Sequence, residues 1–352
     1  MSIDVDRHNA AALLPEQLAL LSGPLGTLAS GQPSEVRVVS ATILRRGVHR
    51  LQLEGATCAS VVVKRLPAKA SQLERSVTDR WLPSVEMNMF GPPRRAAAGE
   101  GDGRYVWHVY DDLGPNGLDQ GDVDPGRLGA AMNRLADLHA SFARHPMLAE
   151  PRFAAGDLGT HFYRNSVRDA ARCVALLRPP AVQPSAEQCR VRDEVAELLS
   201  HLTEDEPDRV RLLTDLAGPT TLVHGDLTRA NVFVLPEPGG CRLIDWDHAG
   251  VGPSGFDIST HVAYYAPAQR RLVLNLYTQA MADRGFPFAD DLDWDLLVRT
   301  FEAGRLANQI IWIALGILEG NAWGFRQLAD WRDALEAVDP GARRSEPEMD
   351  RA

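Results

Sequence analysis

The chain has 352 residues, of which 45% are hydrophobic and 24% charged, the balance of a globular protein long enough for two domains. This excludes a disordered chain, a collagen-like repeat and a small disulfide scaffold. Acidic residues outnumber basic ones by 47 to 37, giving a formal charge of −10 and no global basic footprint for nucleic acid.

The N-terminus carries Asp4 and Asp6 and no apolar run, so it does not read as a secretory leader. AALLPEQLALLSG (11–23) has the spacing of a short amphipathic helix, followed by a Gly/Pro/Ser stretch to about Ser34. VRVVSATILRR (36–46) and HRLQLEG (49–55) flank Gly47 as the arms of a hairpin do. ASVVVKRL (59–66) reads as a third strand with three valines running into Lys64. In SQLERSVTDRWL (71–82), Leu73, Val77, Trp81 and Leu82 fall on one helical face. RYVWHVYDDLG (104–114) reads as a strand ended by Gly114 and Pro115.

Beyond about 115 the pattern turns helical. Helices are predicted over 125–145, 186–203 and 205–216, and again over 257–284 and 293–336, around a β insertion at 222–250. The fold class expected is α+β, with a small β-rich lobe and a larger, mainly helical one. The boundaries read as 1–34 for a helical extension, 35–112 for the first lobe, 113–340 for the second and 341–352 for a polar tail. A cleft between two such lobes is a favoured ligand site. The stretch LANQIIWIALGIL (306–318) is too short to span a membrane and contains Asn308 and Gln309. Cys58, Cys173, Cys189 and Cys241 show no ligand or disulfide spacing, and the chain reads as cytoplasmic, with no membrane or nucleic-acid partner. Only Lys64 and Lys69 are lysines among 37 cationic residues, so a lysine kept at 64 points to a need for lysine there.

The most informative segment is 222–247. VFVL (232–235) and CRLI (241–244) flank PEPGG, a turn signal, so a β-hairpin is expected. A hairpin symmetric about Pro238 sets 231 opposite 245, on one face with Cβ atoms roughly 5 Å apart. Asn231 and Asp245 would then offer an amide oxygen and a carboxylate to a hard cation such as Mg²⁺. Asp226 lies five residues before Asn231 in HGDLTRAN, with a carboxylate free to meet a substrate hydroxyl. Phosphoryl transfer needs that set, because the protein mainly positions reactants and neutralises charge. Singly, such residues are ordinary turn formers; the joint pattern carries the reading.

HGDLTRANVFV followed by CRLIDWDHAGVGPSGFDIST resembles the signature of the aminoglycoside-phosphotransferase-like small-molecule kinases, which include antibiotic, choline and homoserine kinases. The resemblance covers most of the chain in order, including LADLHA (135–140), and implies the two-lobed protein-kinase-like fold. It implies Asp226 as the catalytic aspartate and Asn231 and Asp245 as metal ligands. His224 would be structural, and Asp257 would cap a helix and brace the catalytic loop. Lys64 matches the strand lysine that meets the nucleotide α/β-phosphates, with Glu74 as its helix partner and Glu86 as the competitor. Backbone groups at Val109, Tyr110 and Asp111 would bind adenine. The implied cofactors are ATP or GTP and Mg²⁺, and the implied partner is a small-molecule acceptor.

No GxGxxG occurs in LRRGVHR, and Trp246 stands where protein kinases carry the Phe of DFG. Only 11 residues separate Asp245 from Asp257, too few for a phosphorylated activation loop. The acceptor side is read as a group from Asp247, His248, Glu302, Asn308, Trp312, Glu319 and Trp323. The function expected is O-phosphorylation of an antibiotic-like molecule. The alternatives are a metabolite kinase for choline, homoserine or a sugar, or a non-catalytic nucleotide-binding module.

Overall fold

The computed structural model describes residues 13–29, 36–119, 124–237, 240–263 and 265–339. The acidic N-terminal residues and the 341–352 tail read above lie outside the described residues. The chain divides into two compact units, one of residues 1–134 with 228–249 and the other of 135–227 with 250–352.

The first unit is built on a sheet. Its strands are β1 (Arg37–Arg45), β2 (Val48–Glu54), β3 (Ser60–Pro67), β4 (Arg94–Gly99) and β5 (Tyr105–Asp111), in the order β1-β2-β3-β5-β4 and antiparallel throughout. The sequence reading missed β4, because RRAAAG is built from alanine and arginine rather than β-branched residues. Strand alternation gives the sheet two unlike faces. Leu51, Val61, Val63, Trp107 and Val109 are fully or almost fully buried with Leu18, Leu21 and Leu25 of helix α1 (Pro15–Gly26). Lys64 has the opposite parity to Val63, as do its ladder partners Val48 and His108 to their neighbours, so that row belongs to the other face.

Helix α2 (Ala68–Ser76) follows β3 directly and buries Ser71 and Glu74. The helix expected over 71–82 leaves the α form early. A π turn at Val77–Trp81 and a 3₁₀ turn at Leu82–Val85 continue it, with Pro83 unable to donate a backbone hydrogen bond.

The second unit holds α4 (Ala149–Ala155), α5 (Thr160–Ala175), α6 (Ala186–Glu204), α7 (Glu206–Asp215), α8 (Gly255–Val262), α9 (Pro267–Ala282), α10 (Trp294–Leu318) and α11 (Gly324–Val338). The boundary at 134/135 falls within α3 (Pro125–Phe142). Its core joins Tyr163, Val167, Leu199, Leu213, Phe256, Phe301, Ile310 and Leu328. The single β insertion expected at 222–250 resolves into two ribbons. β6 (Thr220–Val223) pairs with β9 (Gly250–Pro253) in the second unit, and β7 (Val232–Val234) pairs with β8 (Cys241–Leu243) in the first. Among the described residues, no helix is long and apolar enough to cross a membrane.

Trp107 is 1% exposed at the centre of the sheet's apolar face. Trp107→Ala is expected to lower stability by about 3–5 kcal/mol. Val39→Ala, at a site 43% exposed, should stay within about 0.5 kcal/mol. Urea denaturation of the full chain checks both.

Candidate active site

Burial of a lysine is tolerable only with partners, and Lys64 has two. Its Nζ lies 2.9 Å from Glu74 Oε1 and also donates to Asp245 Oδ1. Glu74 is 1% exposed and sits in the last turn of α2, the helix that β3 feeds. Its second oxygen accepts the Tyr110 hydroxyl at 2.6 Å. Tyr110 meets His108 Nδ1 at 2.7 Å, and His108 Nε2 meets Ser71 Oγ at 2.8 Å. Burial opposes the charge of Glu74, but hydrogen bonds from His108, Lys64 and Tyr110 and the Lys64 charge hold it below the usual carboxylate range. Burial likewise opposes the charge of Lys64, and Glu74, Asp245 and Asp247 outweigh it and raise its pKa. Glu86, the competing partner, is exposed and takes a left-handed backbone at φ 61°.

The hairpin register differs from expectation by one residue. Val232 faces Leu243 and Val234 faces Cys241. Ile244, not Asp245, is opposite Asn231, with Ile244 N donating to Asn231 O at 3.0 Å. The reason is that Gly240 belongs to the ladder: Leu235 N donates to its carbonyl at 2.6 Å, which moves the centre of the turn. Asp245 follows the last paired position and adopts φ 69°, ψ 56°, a left-handed conformation costly for a non-glycine residue. Asn231 is buried at 3%. Asp245 is 11% exposed in its side chain, with Lys64 on Oδ1 and Arg45 on Oδ2. Burial opposes its charge, and the Lys64 and Arg45 cations overcome this and hold it far below the usual range.

Asp247 Oδ1 is buried with no hydrogen-bond partner. Burial and the neighbouring Asp245 charge raise the Asp247 pKa. The donor chemistry here, an amide oxygen and two carboxylates of which one has an orphaned oxygen, suits a hard divalent cation. Among the described residues no group of three or more His, Cys, Asp or Glu is placed to hold a metal.

Asp226 lies in the second unit, on the loop after β6. The loop is fixed by Asp257, which is wholly buried. Asp257 Oδ2 accepts from His224 N at 2.7 Å, and Oδ1 accepts from Gly225 N at 2.9 Å. Gly225 has φ 85°, which permits this tight turn. Asp226 N then donates to His224 Nδ1 at 3.3 Å. His139 Nε2 reaches Asp257 Oδ2 at 3.2 Å, and His139 Nδ1 meets the Tyr277 hydroxyl at 2.7 Å. Asp257 stands inside the first turn of α8, not at its cap. The capping position is Ser254, whose side chain makes no capping bond, and the Asp257 oxygens serve the loop. His139 and Tyr277 are not singled out from sequence; the run LADLHA contains His139, and nothing marks Tyr277.

Val109 and Tyr110 have ladder partners on both sides, Val63 and Val62 in β3 and Ala96 and Arg94 in β4. Asp111 N donates to Pro93 O at 3.0 Å. The expected adenine-binding backbone is therefore engaged within the sheet, and Asp112 is the first residue past it. Its carboxylate holds Ser60 Oγ and Gly114 N. Of the acceptor-side candidates, Asp247 sits beside Asp245 in sequence and His248 is exposed. Glu302 pairs with Arg305 at 2.7 Å. Asn308 lines a cavity of about 280 Å³ with Asp157, His161, Asn165 and Ser166. Trp312 and Trp323 are 65% and 66% exposed, and Glu319 ends α10. Asp247 and His248 belong to the first unit and the other five to the second.

A family profile described as the phosphotransferase enzyme family matches residues 40–292. No curated protein matches the sequence. Solved structures with a similar fold include a spectinomycin phosphotransferase in complex with ADP and spectinomycin, at 12% identity and TM-score 0.58, covering 91% of this chain and 98% of that one. An aminoglycoside 2′-phosphotransferase in its GDP complex is similar at 14% identity and TM-score 0.58, covering 93% and 98%. An ethanolamine kinase from Plasmodium vivax is similar at 12% identity and TM-score 0.55, covering 87% and 82%.

Burial opposes the charge of Asp257, and the hydrogen bonds and charges of His139 and His224 prevail, so its pKa falls below the ordinary 3.8. A depressed carboxylate adds stability that is full above the ordinary value and is lost as pH falls through it toward the folded-state value. Asp257→Asn is expected to cost at least about 2 kcal/mol near neutrality and to flatten the loss of stability below about pH 4. Urea midpoints from pH 7 to 3 for both proteins test this; parallel curves would exclude Asp257 as the acid-sensitive group.

Proposed function

Because the chain belongs to the phosphotransferase enzyme family, we propose that it transfers the terminal phosphate of ATP or GTP, with Mg²⁺, to a hydroxyl of an antibiotic-like small molecule. The observation that carries the reading is the buried lysine tied to a helix glutamate and to the aspartate that follows the β7–β8 hairpin. A purely structural ion pair would need one carboxylate; here one ammonium gathers two and leaves a third, Asp247, with an orphaned oxygen.

Lys64 meets the α/β-phosphates as a point charge, and Glu74 keeps it aimed. Asn231 and Asp245 would hold Mg²⁺, with Asp247 as a further oxygen near enough to feel the Asp245 charge. The ion supplies neutralisation of the charge on the transferring phosphoryl group. The adenine or guanine edge is met by backbone groups at Asp112 and by the Leu113 N–H, the first past the β5 ladder. Asp226 accepts a hydrogen bond from the acceptor hydroxyl, orients its oxygen toward the γ-phosphorus and takes the proton late. The acceptor O–P bond forms while the bond to the β–γ bridging oxygen breaks, and the nucleoside diphosphate leaves with that electron pair. Asp257 acts only by holding the loop.

The antibiotic acceptor draws support from the spectinomycin- and aminoglycoside-directed enzymes of similar fold. The formal charge of −10 favours approach of a cationic acceptor. The test is phosphate transfer over a panel of aminoglycosides, aminocyclitols, amino alcohols and sugars, followed by phosphorus NMR. Transfer confined to amino alcohols or sugars would replace the antibiotic reading with a metabolic one. Asp226→Ala is expected to lower turnover about a thousandfold while nucleotide affinity stays within about twofold. Full turnover in that variant would remove Asp226 from its role.

A further inference from the structure

We propose that Arg45 is a second cationic phosphate ligand of the nucleotide site, parked on Asp245 until nucleotide arrives; the inference rests on the kinase reading above. Arg45 is the last residue of β1, before a two-residue turn whose Gly47 has φ 74°. It pairs with Val48, Val48 pairs with Lys64, and Lys64 pairs with His108. Directly opposed residues share a face, so Arg45 and Lys64 belong to one row across three strands. A bulge between Ile43 and Arg45 sets this register, and bulges re-aim side chains.

Both oxygens of Asp245 are occupied, Oδ1 by Lys64 and Oδ2 by Arg45. A divalent ion that takes Asp245 must displace one of them. Lys64 is 11% exposed in its side chain and tied also to Glu74. Arg45 is 51% exposed in its side chain, and Asp245 is its one side-chain partner among the described residues. Arg45 is therefore the cation that yields. Its guanidinium remains in the row beside Lys64, where the phosphates are to be bound. A planar fork of donors matches phosphate oxygens. The hairpin has no glycine-rich loop to offer backbone N–H groups, and Arg45 supplies in its place a side chain from the same turn.

The two roles predict opposite effects. Removing Arg45 takes a ligand from the β/γ-phosphates and frees an Asp245 oxygen for a bare ion. Calorimetry of the full chain with Mg²⁺ and AMP-PNP should show Arg45→Ala and Arg45→Gln weakened about tenfold or more. AMP, which has no β- or γ-phosphate, should change less than about twofold. Mn²⁺ alone, followed by electron paramagnetic resonance, should bind these variants several-fold more tightly. Arg45→Lys should recover part of the AMP-PNP affinity, because the charge remains without the fork. Arg46→Ala removes the same charge one residue away, at an exposed side chain, and should leave all three affinities unchanged. Equal losses in Arg46→Ala and Arg45→Ala would mean general electrostatics and overturn the proposal. Wild-type affinity for AMP-PNP in Arg45→Ala would overturn it while leaving the kinase reading intact. Failure of the wild-type protein itself to bind AMP-PNP, with no further effect of Lys64→Ala, would overturn both.

Discussion

A lysine ammonium taken out of water is the constraint around which the first unit is arranged. Left alone, Lys64 would lose its proton or unfold the site. It keeps its charge because the strand aims it and two other pieces of chain bring acids to it. Strand parity turns residue 64 away from the apolar face that α1 covers. The helix that starts one residue after β3 delivers Glu74. The hairpin delivers Asp245 in a left-handed conformation that a free turn would avoid. Tyr110 bonds Glu74 and is itself joined to His108 and Ser71, so with Lys64 neither oxygen of Glu74 is left unmet. The arrangement is electrostatically tense, with cations and carboxylates closely balanced. That tension suits the proposed nucleotide site, since charge would be redistributed were phosphates and a divalent ion to enter.

The second unit uses its buried carboxylate differently. Among the described residues, no lysine or arginine forms an ion pair with Asp257. It accepts two backbone N–H groups of one loop and a histidine. Such a group sets a backbone shape, and the shape of 224–226 fixes where the Asp226 side chain begins. A small-molecule kinase asks for this division of labour, because its transferred group needs orientation more than it needs strong acid or base.

Much of the fold was legible from local pattern. The valine run into Lys64, the hairpin around Gly47 and the helix opened by Pro125 all depend on periods of two or 3.6 residues that a linear reading detects. Helix α5 was passed over, although Tyr163, Val167, Ala170 and Val174 recur at helical spacing; its intervening residues are polar enough to mask the stripe. Strand β4 carried no β-branched residue and so no signal. The motif HGD with Asn231 and Asp245 was legible because its parts lie close along the chain.

By itself, then, the sequence determined the α+β class and the kinase-like family. These follow from short-range spacing, which the chain carries wherever it folds. Tertiary structure alone decided that Lys64 chooses Glu74 and also grips Asp245, 181 residues away. It decided that Arg45 meets the same aspartate across 200 residues, that Asp257 braces a loop instead of capping a helix, and that the hairpin closes one position off its symmetric register. Contacts at that separation depend on how the sheet, the helix and the turn pack against one another, and no local period records that packing.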